Sequence, residues 1–285
     1  MRDWQGRVAI VTGASGGIGV YVARVLVERG ANVVLVARSA DKLATVATEL
    51  SKLTDSKSRV LVVPTDVTSL PDLERLVSRT HVEFGQIDVL VNNAGIDGYC
   101  PFEKISHERI SSIVDVNLTS AMHLTRLVIP HMLKQGGGHV VNMSSTAGQV
   151  GPAFGAAYGV TKAGLIAFTE SLRAEYADRW ISASVICPGF TNDGGIYEEM
   201  KRRTGRGTPA TVGYTTAKAV AKAVIKAIEQ DKPELIVNTP PMRPIFVLKA
   251  IWPTLGNWIV RQASRRFLKK IASQPEPSDS SVKAA

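Results

Sequence analysis

Tyr158 and Lys162 stand four residues apart in the run Tyr158-Gly159-Val160-Thr161-Lys162, and Ser145 lies thirteen residues before the tyrosine. On a helix that spacing puts the phenol and the ammonium on one face. A free phenol, with a pKa of about 10, is a poor proton donor or acceptor at neutral pH. A neighbouring cation favours the phenolate and draws the pKa toward the working range, as acid-base catalysis requires. Alone, the pair also fits an ordinary amphipathic helix. Its meaning depends on the elements that position it.

Those elements alternate between short β-branched runs and longer helical patterns. Residues 7–12, 32–37, 59–63, 87–91, 139–143, 181–186 and 234–237 read as strands. Helical patterns run from the glycines after residue 12 to residue 29, then over 40–53, 69–84, 107–134, 155–178 and 215–230, with an interruption expected near Pro130. Seven strands joined by crossover helices predict an α/β fold: a doubly wound (Rossmann) parallel sheet with helices on both faces. In such sheets the ligand crevice lies outside the carboxyl ends of the strands. The glycine turn, Asn92-Asn93-Ala94-Gly95, Ser145 and Pro188-Gly189 all follow predicted strands directly. They are expected to share one edge.

Thr12-Gly13-Ala14-Ser15-Gly16-Gly17-Ile18-Gly19 sits between the first strand and the first helix. Glycines there allow a tight turn and close approach of the backbone to a pyrophosphate at the helix N-terminus. At the end of the second strand, where an acid would bind the adenosine ribose, the residues are Ala37 and Arg38. An arginine there suits a 2′-phosphate, so NADP(H) is expected over NAD(H). Asp66 can accept from an adenine amino group or cap the following helix. Asn93-Ala94-Gly95 would let the chain pass close to the ribose.

These motifs together resemble the short-chain dehydrogenase/reductase family, over roughly residues 5–240. The resemblance rests on TGASGGIG at 12–19, NNAG at 92–95, Asn117 in VNLTSA, Ser145 in NMSSTAG, YGVTK at 158–162 and PGFT at 188–191. It implies that Tyr158 exchanges a proton with the substrate oxygen and that Lys162 lowers the phenol pKa and holds the nicotinamide ribose. Ser145, rather than Ser144, would hydrogen-bond the substrate oxygen. Asn117 would mark a helix distortion holding a water in the proton relay. Cofactor contacts would come from Gly13, Ser15, Gly17, Ile18, Gly19, Arg38, Asp66, Val67, Asn93, Ala94, Gly95, Pro188, Gly189 and Thr191, beside Tyr158 and Lys162. The implied activity interconverts a ketone and a secondary alcohol by hydride transfer, with no metal. A reductase of acyl thioesters would use the same residues. A silent cofactor-binding sensor or scaffold is the alternative, and it would be favoured by loss of Tyr158, Lys162 or Ser145, none of which is replaced. Family members commonly form dimers or tetramers, and a homo-dimer or homo-tetramer is expected here.

Beyond Thr191 the family pattern loosens. Residues 192–211 hold four glycines and Lys201-Arg202-Arg203, a composition that suits either a mobile lid or a plain surface loop. Tyr99, Phe154 and Phe190 fall near the predicted crevice and favour an apolar or lipid-like substrate, although core positions would read the same way. The net charge of +9 is uneven: residues 1–242 carry 26 basic and 23 acidic residues, whereas 243–273 carry seven Lys or Arg and no acid. The basic balance therefore belongs to a C-terminal extension, and no nucleic-acid motif accompanies it. The chain divides into a catalytic domain over 1–240, a cationic amphipathic helical extension over 241–273 and a disordered tail over 274–285. Within 245–271, Trp252, Trp258 and Phe267 interleave with cations, a pattern that can lie in a membrane interface. Packing over the pocket, a subunit contact or a helix on the core are the competing roles. Two distant cysteines, Cys100 and Cys187, and no signal-peptide pattern suit a cytoplasmic protein, or one peripheral to a membrane.

Overall fold

The computed structural model describes residues 3–53, 59–192, 201, 205, 207–209 and 212–273. Most of the segment expected to form a lid lies outside them, as does the tail after residue 273. Strands β1 (Val8–Thr12), β2 (Asn32–Ala37), β3 (Val60–Pro64), β4 (Val89–Asn92), β5 (Gly138–Met143), β6 (Ile181–Pro188) and β9 (Glu234–Val237) form one parallel sheet in the order β3-β2-β1-β4-β5-β6-β9. A short parallel pair, β7 (Thr191–Asn192) with β8 (Thr215–Thr216), stands beside it. The order reverses between β1 and β4, and there the two halves of the sheet part to leave a crevice.

Side chains alternate across the sheet because the strand period is two. In β1, Ala9 and Val11 pack with α1 (Gly17–Val27), α2 (Ala40–Ser51) and α8 (Ala217–Gln230), the last through Val220, Val224 and Ile228. Val8 and Ile10 face the opposite layer of α3 (Leu70–Phe84), α5 (Ser120–Lys134) and α7 (Ala156–Glu175), through residues such as Leu76, Leu124, Val128 and Leu172. Polar caps start the helices where the pattern places them: Ser39 accepts from the Lys42 N–H, Ser69 from Asp72 and Thr216 from Ala219.

Two details depart from expectation. Pro130 does not interrupt its helix, since α5 runs through it. The irregularity lies earlier, where α4 (His107–Val114) passes into α5 through a π-helical turn at Asp115–Thr119 that contains Asn117. The extension folds as α9 (Arg243–Ile251) and α10 (Pro253–Ala272), a helical hairpin packed on the body. Among the described residues no helix is long and apolar enough to cross a membrane.

A buried polar network ties β4 and β5 to the helices behind the crevice. Asn92 Nδ2 donates to Asn142 Oδ1 at 2.9 Å and to Thr125 Oγ1 at 3.0 Å, while Asn142 Nδ2 donates to Thr169 Oγ1 at 2.9 Å. All four side chains are buried, so each bond lost leaves a polar group that water cannot reach. Asn142→Ala is expected to destabilise the protein by about 2–3 kcal/mol in urea unfolding, from the orphaned partners and the cavity left behind. A loss below about 0.5 kcal/mol, the range of an indifferent surface change, would contradict that role for the network.

Candidate active site

The turn between β1 and α1 is built from glycines for two reasons. Gly13 and Gly17 have φ of +66° and +52°, the left-handed region that side chains disfavour. A Cβ on Gly19 would collide with the Gly13 carbonyl, and one on Gly13 would stand 2.9 Å from Asn93 Nδ2. The start of α1 thus sits directly against the end of β4. Thr12 Oγ1 accepts the N–H groups of Asn93 and Ala94 at 2.9 and 3.0 Å, and Asn93 Nδ2 donates back to the Thr12 carbonyl at 2.9 Å. No side chain caps α1 at Gly16, which leaves its first N–H groups for an anion.

A continuous cavity of about 900 Å³ runs from this turn to the extension. It is lined by Gly13, Ser15, Gly17, Ile18, Arg38, Asp66, Val67, Asn93, Ala94, Gly95, Ser145, Tyr158, Lys162, Pro188, Gly189 and Thr191. Of the expected site residues only Gly19 and Asn117 stand behind its wall. At one end Ala37 and Arg38 are joined by Lys42, a cation one turn into α2 that sequence reasoning passed over. Asp66 does not cap α3: its Oδ1 accepts from the Thr68 N–H and hydroxyl at 2.9 and 2.7 Å, and Ser69 supplies the cap.

At the other end the two serines separate clearly. Ser144 is buried and its Oγ donates to the Lys162 carbonyl at 2.7 Å. Ser145 faces the cavity beside Tyr158, starting the short helix α6 (Thr146–Gln149) by accepting from the Ala147 N–H at 3.2 Å. Thr191 Oγ1 donates to the Gly189 carbonyl at 3.2 Å, on the same edge. Lys162 Nζ lies 5.6 Å from the Tyr158 ring centre and donates to the Met143 carbonyl at 2.8 Å. Burial pushes the Lys162 ammonium down to about 8.

Tyr158 does not have the lowered pKa that the Tyr/Lys spacing suggests. Burial pushes its phenol up to about 12, the Ser145 hydroxyl opposes the rise, and the Asp97 carboxylate adds to it. Asn117 sits in the π turn with its side chain committed: Oδ1 accepts the Ile96 N–H at 2.7 Å and Nδ2 donates to the Ile96 carbonyl at 2.9 Å. It holds the segment after Gly95 against α5 and α7.

That segment carries the residues sequence reasoning missed. Asp97 lines the cavity together with Arg109 of α4, which is largely buried and donates through Nη2 to the Asp97 carbonyl at 2.7 Å and approaches its carboxylate at 3.4 Å. The available signal was an acid two residues past the glycine of a strand-end turn. Outside this polar patch the described residues at the far end of the cavity are mostly apolar, with Ser264 among them. Tyr99, Phe154 and Phe190 form a cluster with Phe267, Leu268 and Ile271 of α10, and Ile245, Ile259, Val260 and Ala263 complete the wall. The extension therefore packs over the pocket, one of the four roles its composition left open.

A glycine floor without side chains, cations at one end and clustered hydroxyls at the other fit a nicotinamide dinucleotide. The family model described as short chain dehydrogenase matches residues 7–204. The chain belongs to the short-chain dehydrogenase family. It is an oxidoreductase of the kind that acts on CH–OH and C=O groups with a nicotinamide cofactor. It is 39% identical over 242 residues to a ketoacyl reductase, HetN, of Nostoc, covering 85% of this chain and 82% of that one. It is 36% identical over 185 residues to a D-beta-hydroxybutyrate dehydrogenase of Rhizobium meliloti, covering 65% and 71% of the two chains. Among solved structures, a short-chain dehydrogenase/reductase of Burkholderia phymatum in complex with NAD superposes with a TM-score of 0.78 at 24% identity, over 90% of this chain and 96% of that one.

The Asp97 carboxylate raises the phenol pKa, so its removal acts in the opposite direction. Asp97→Asn is expected to shift the ascending limb of the pH profile for alcohol oxidation to lower pH, since the phenolate forms earlier. An unchanged limb, or one moved to higher pH, contradicts this placement of Asp97.

Proposed function

We propose that this protein is an NADP(H)-dependent oxidoreductase that interconverts a ketone and a secondary alcohol on an apolar, long-chain or lipid-like substrate. The observation that carries the reading is one cavity with Arg38 and Lys42 at its cofactor end, Ser145, Tyr158 and Lys162 at its centre, and an apolar helical hairpin at its far end. When bound, the nicotinamide supplies or accepts the hydride. Every other step belongs to the chain.

Ser145 Oγ donates to the substrate oxygen and holds it toward Tyr158. The phenol gives up its proton as negative charge grows on that oxygen, and both donors stabilise the charge where it develops. A phenol held near 12 remains a protonated donor at neutral pH, which suits carbonyl reduction. Oxidation demands the phenolate, so it is favoured at alkaline pH. Lys162 steadies the ribose and brings a positive charge near the phenol. Asn117 acts as a positioning residue through Ile96, while Thr191 and Pro188-Gly189 support the nicotinamide ring. Met122 on α5 and Val160 on α7 stand exposed and supply an apolar face for a dimer or tetramer.

The test is a ketone and alcohol panel run with NADPH and NADH in parallel. Tyr158→Phe removes the transferable proton and keeps the ring, so reduction is expected to fall at least about a thousandfold, the upper range of acid-base catalysis, with NADPH binding retained. Near-normal turnover in that variant rejects the mechanism. A charge-assisted contact to a 2′-phosphate is worth about tenfold to a hundredfold in affinity. Arg38→Ala/Lys42→Ala is accordingly expected to raise the KM for NADPH by that factor while leaving NADH unaffected. Equal losses for both cofactors refute the 2′-phosphate reading.

A further inference from the structure

The helical hairpin has two apolar faces, and the body covers only one. The inner face supplies Ile245, Ile259, Val260 and Leu268 to the cavity wall. The outer face is open. Val247 and Ile251 lie one turn apart on α9, and Trp252, Leu255 and Trp258 follow at three-residue intervals across the elbow into α10. Ile251 is 78% exposed, Trp252 62% and Trp258 52%. A contiguous patch of this kind, at the tip of an element, is an interaction surface rather than scattered exposure.

The elbow is held firmly. Gly256 lets α10 cross against the backbone of Lys249, where any Cβ would collide. Lys249 turns inward, and its Nζ donates to the Gln149 carbonyl at 2.8 Å, tying the hairpin to the end of α6. The cations of α10 are exposed, with Arg265 also reaching over the Phe154 ring at 6.0 Å. Trp258, Arg261, Arg265 and Lys269 are spaced i, i+3, i+7 and i+11 along one stripe, and Arg266 and Lys270 flank it. Moving away from the elbow, the surface passes from indoles to cations with no acid between. Indoles favour a layer with one apolar and one wet side, and Lys and Arg stems lie along apolar surface with their heads in water. A second copy seated on this patch would set one acid-free cationic segment against another, which repels. Anionic lipid headgroups complement it.

We propose that the α9–α10 elbow is a docking wedge for anionic membrane surfaces, with Trp252, Leu255 and Trp258 in the interfacial layer and the α10 cations over the headgroups. The attachment is peripheral and reversible. It stands on the exposed face and its charge, independently of the reaction assigned above. If the substrate is lipid-like, docking brings the cavity wall to the phase that holds it.

The full-length protein is centrifuged with phosphatidylcholine vesicles and with vesicles containing about 30% phosphatidylglycerol, at about 0.1 M salt. Sedimentation with the anionic vesicles is expected. Trp252→Ser/Trp258→Ser and, separately, Arg261→Gln/Arg266→Gln/Lys269→Gln are each expected to weaken partitioning by at least about tenfold. Reduction of a water-soluble ketone should stay unchanged in both, which also reports that the variants are folded. Equal soluble fractions with and without anionic vesicles overturn the proposal, as does binding that ignores the tryptophan changes. Light scattering that finds the tryptophan variant in a smaller assembly than the parent would reassign the elbow to a subunit contact.

Discussion

A buried ammonium organises this protein. Lys162 is 4% exposed, yet its Nζ reaches the Met143 carbonyl at the end of β5, and its own carbonyl accepts from Ser144. Gly148 packs so closely that a Cβ would strike the Lys162 backbone, which seats α6 on α7. Gly95 leaves room on the other side: a Cβ there would stand 3.5 Å from Nζ. The ends of β4 and β5 and the start of α6 are thus arranged around one charge. That arrangement costs stability. A lysine pushed from 10.5 to about 8 is less readily protonated in the folded chain than in the unfolded one. Below pH 8 both states are protonated and the folded state carries the full cost, about 3 kcal/mol; the cost is relieved as pH rises from 8 through 10.5.

The π turn at Asp115–Thr119 illustrates why local signals mislead. Pro130 lacks an N–H and reads as a helix breaker, but it lies on the exposed side of α5, where a lost helical bond costs less than in the core. Nothing forces the helix to end. Asn117 carries no comparable warning in its residue type. Its amide takes both polar groups of Ile96, twenty-one residues away, and the helix accommodates that clamp by widening one turn. A bond of that sequence separation is invisible to periodicity. The family motif pointed to it because the motif carries tertiary information that propensity does not.

The parallel sheet and the cofactor floor were legible for the converse reason. Buried parallel strands read as continuous apolar runs, and a turn that must pass close to other backbone can only be glycine. The pairing of Tyr158 with Lys162 was legible as geometry but not as electrostatics. Spacing puts the two on one face, whereas the phenol pKa follows burial and the Asp97 carboxylate, neither of which spacing reports. The fate of the extension was likewise beyond reach. Four roles fitted its composition, and its packing over the pocket turns on Tyr99, Phe154 and Phe190, scattered over 92 residues, meeting Leu268 and Ile271.

The cavity has a polarity gradient that orders the chemistry along it. Cations and glycine N–H groups occupy the end under β2 and α1, hydroxyls and a buried ammonium the middle, and aliphatic and aromatic side chains the end beneath the hairpin. A dinucleotide matches the first two regions in one orientation only, because its phosphates must meet the cations and its reactive ring must reach the hydroxyls. The third region then falls to the substrate. That wall is built largely from residues beyond 204, where the family match ends. The glycine turn and the hydroxyls thus lie within the span of the family match, whereas the hairpin that walls the far end lies beyond it. Among the described residues, Asp97 and Arg109 set a polar patch in that wall near the hydroxyls, where burying a polar group costs less than it does against the aliphatic and aromatic side chains.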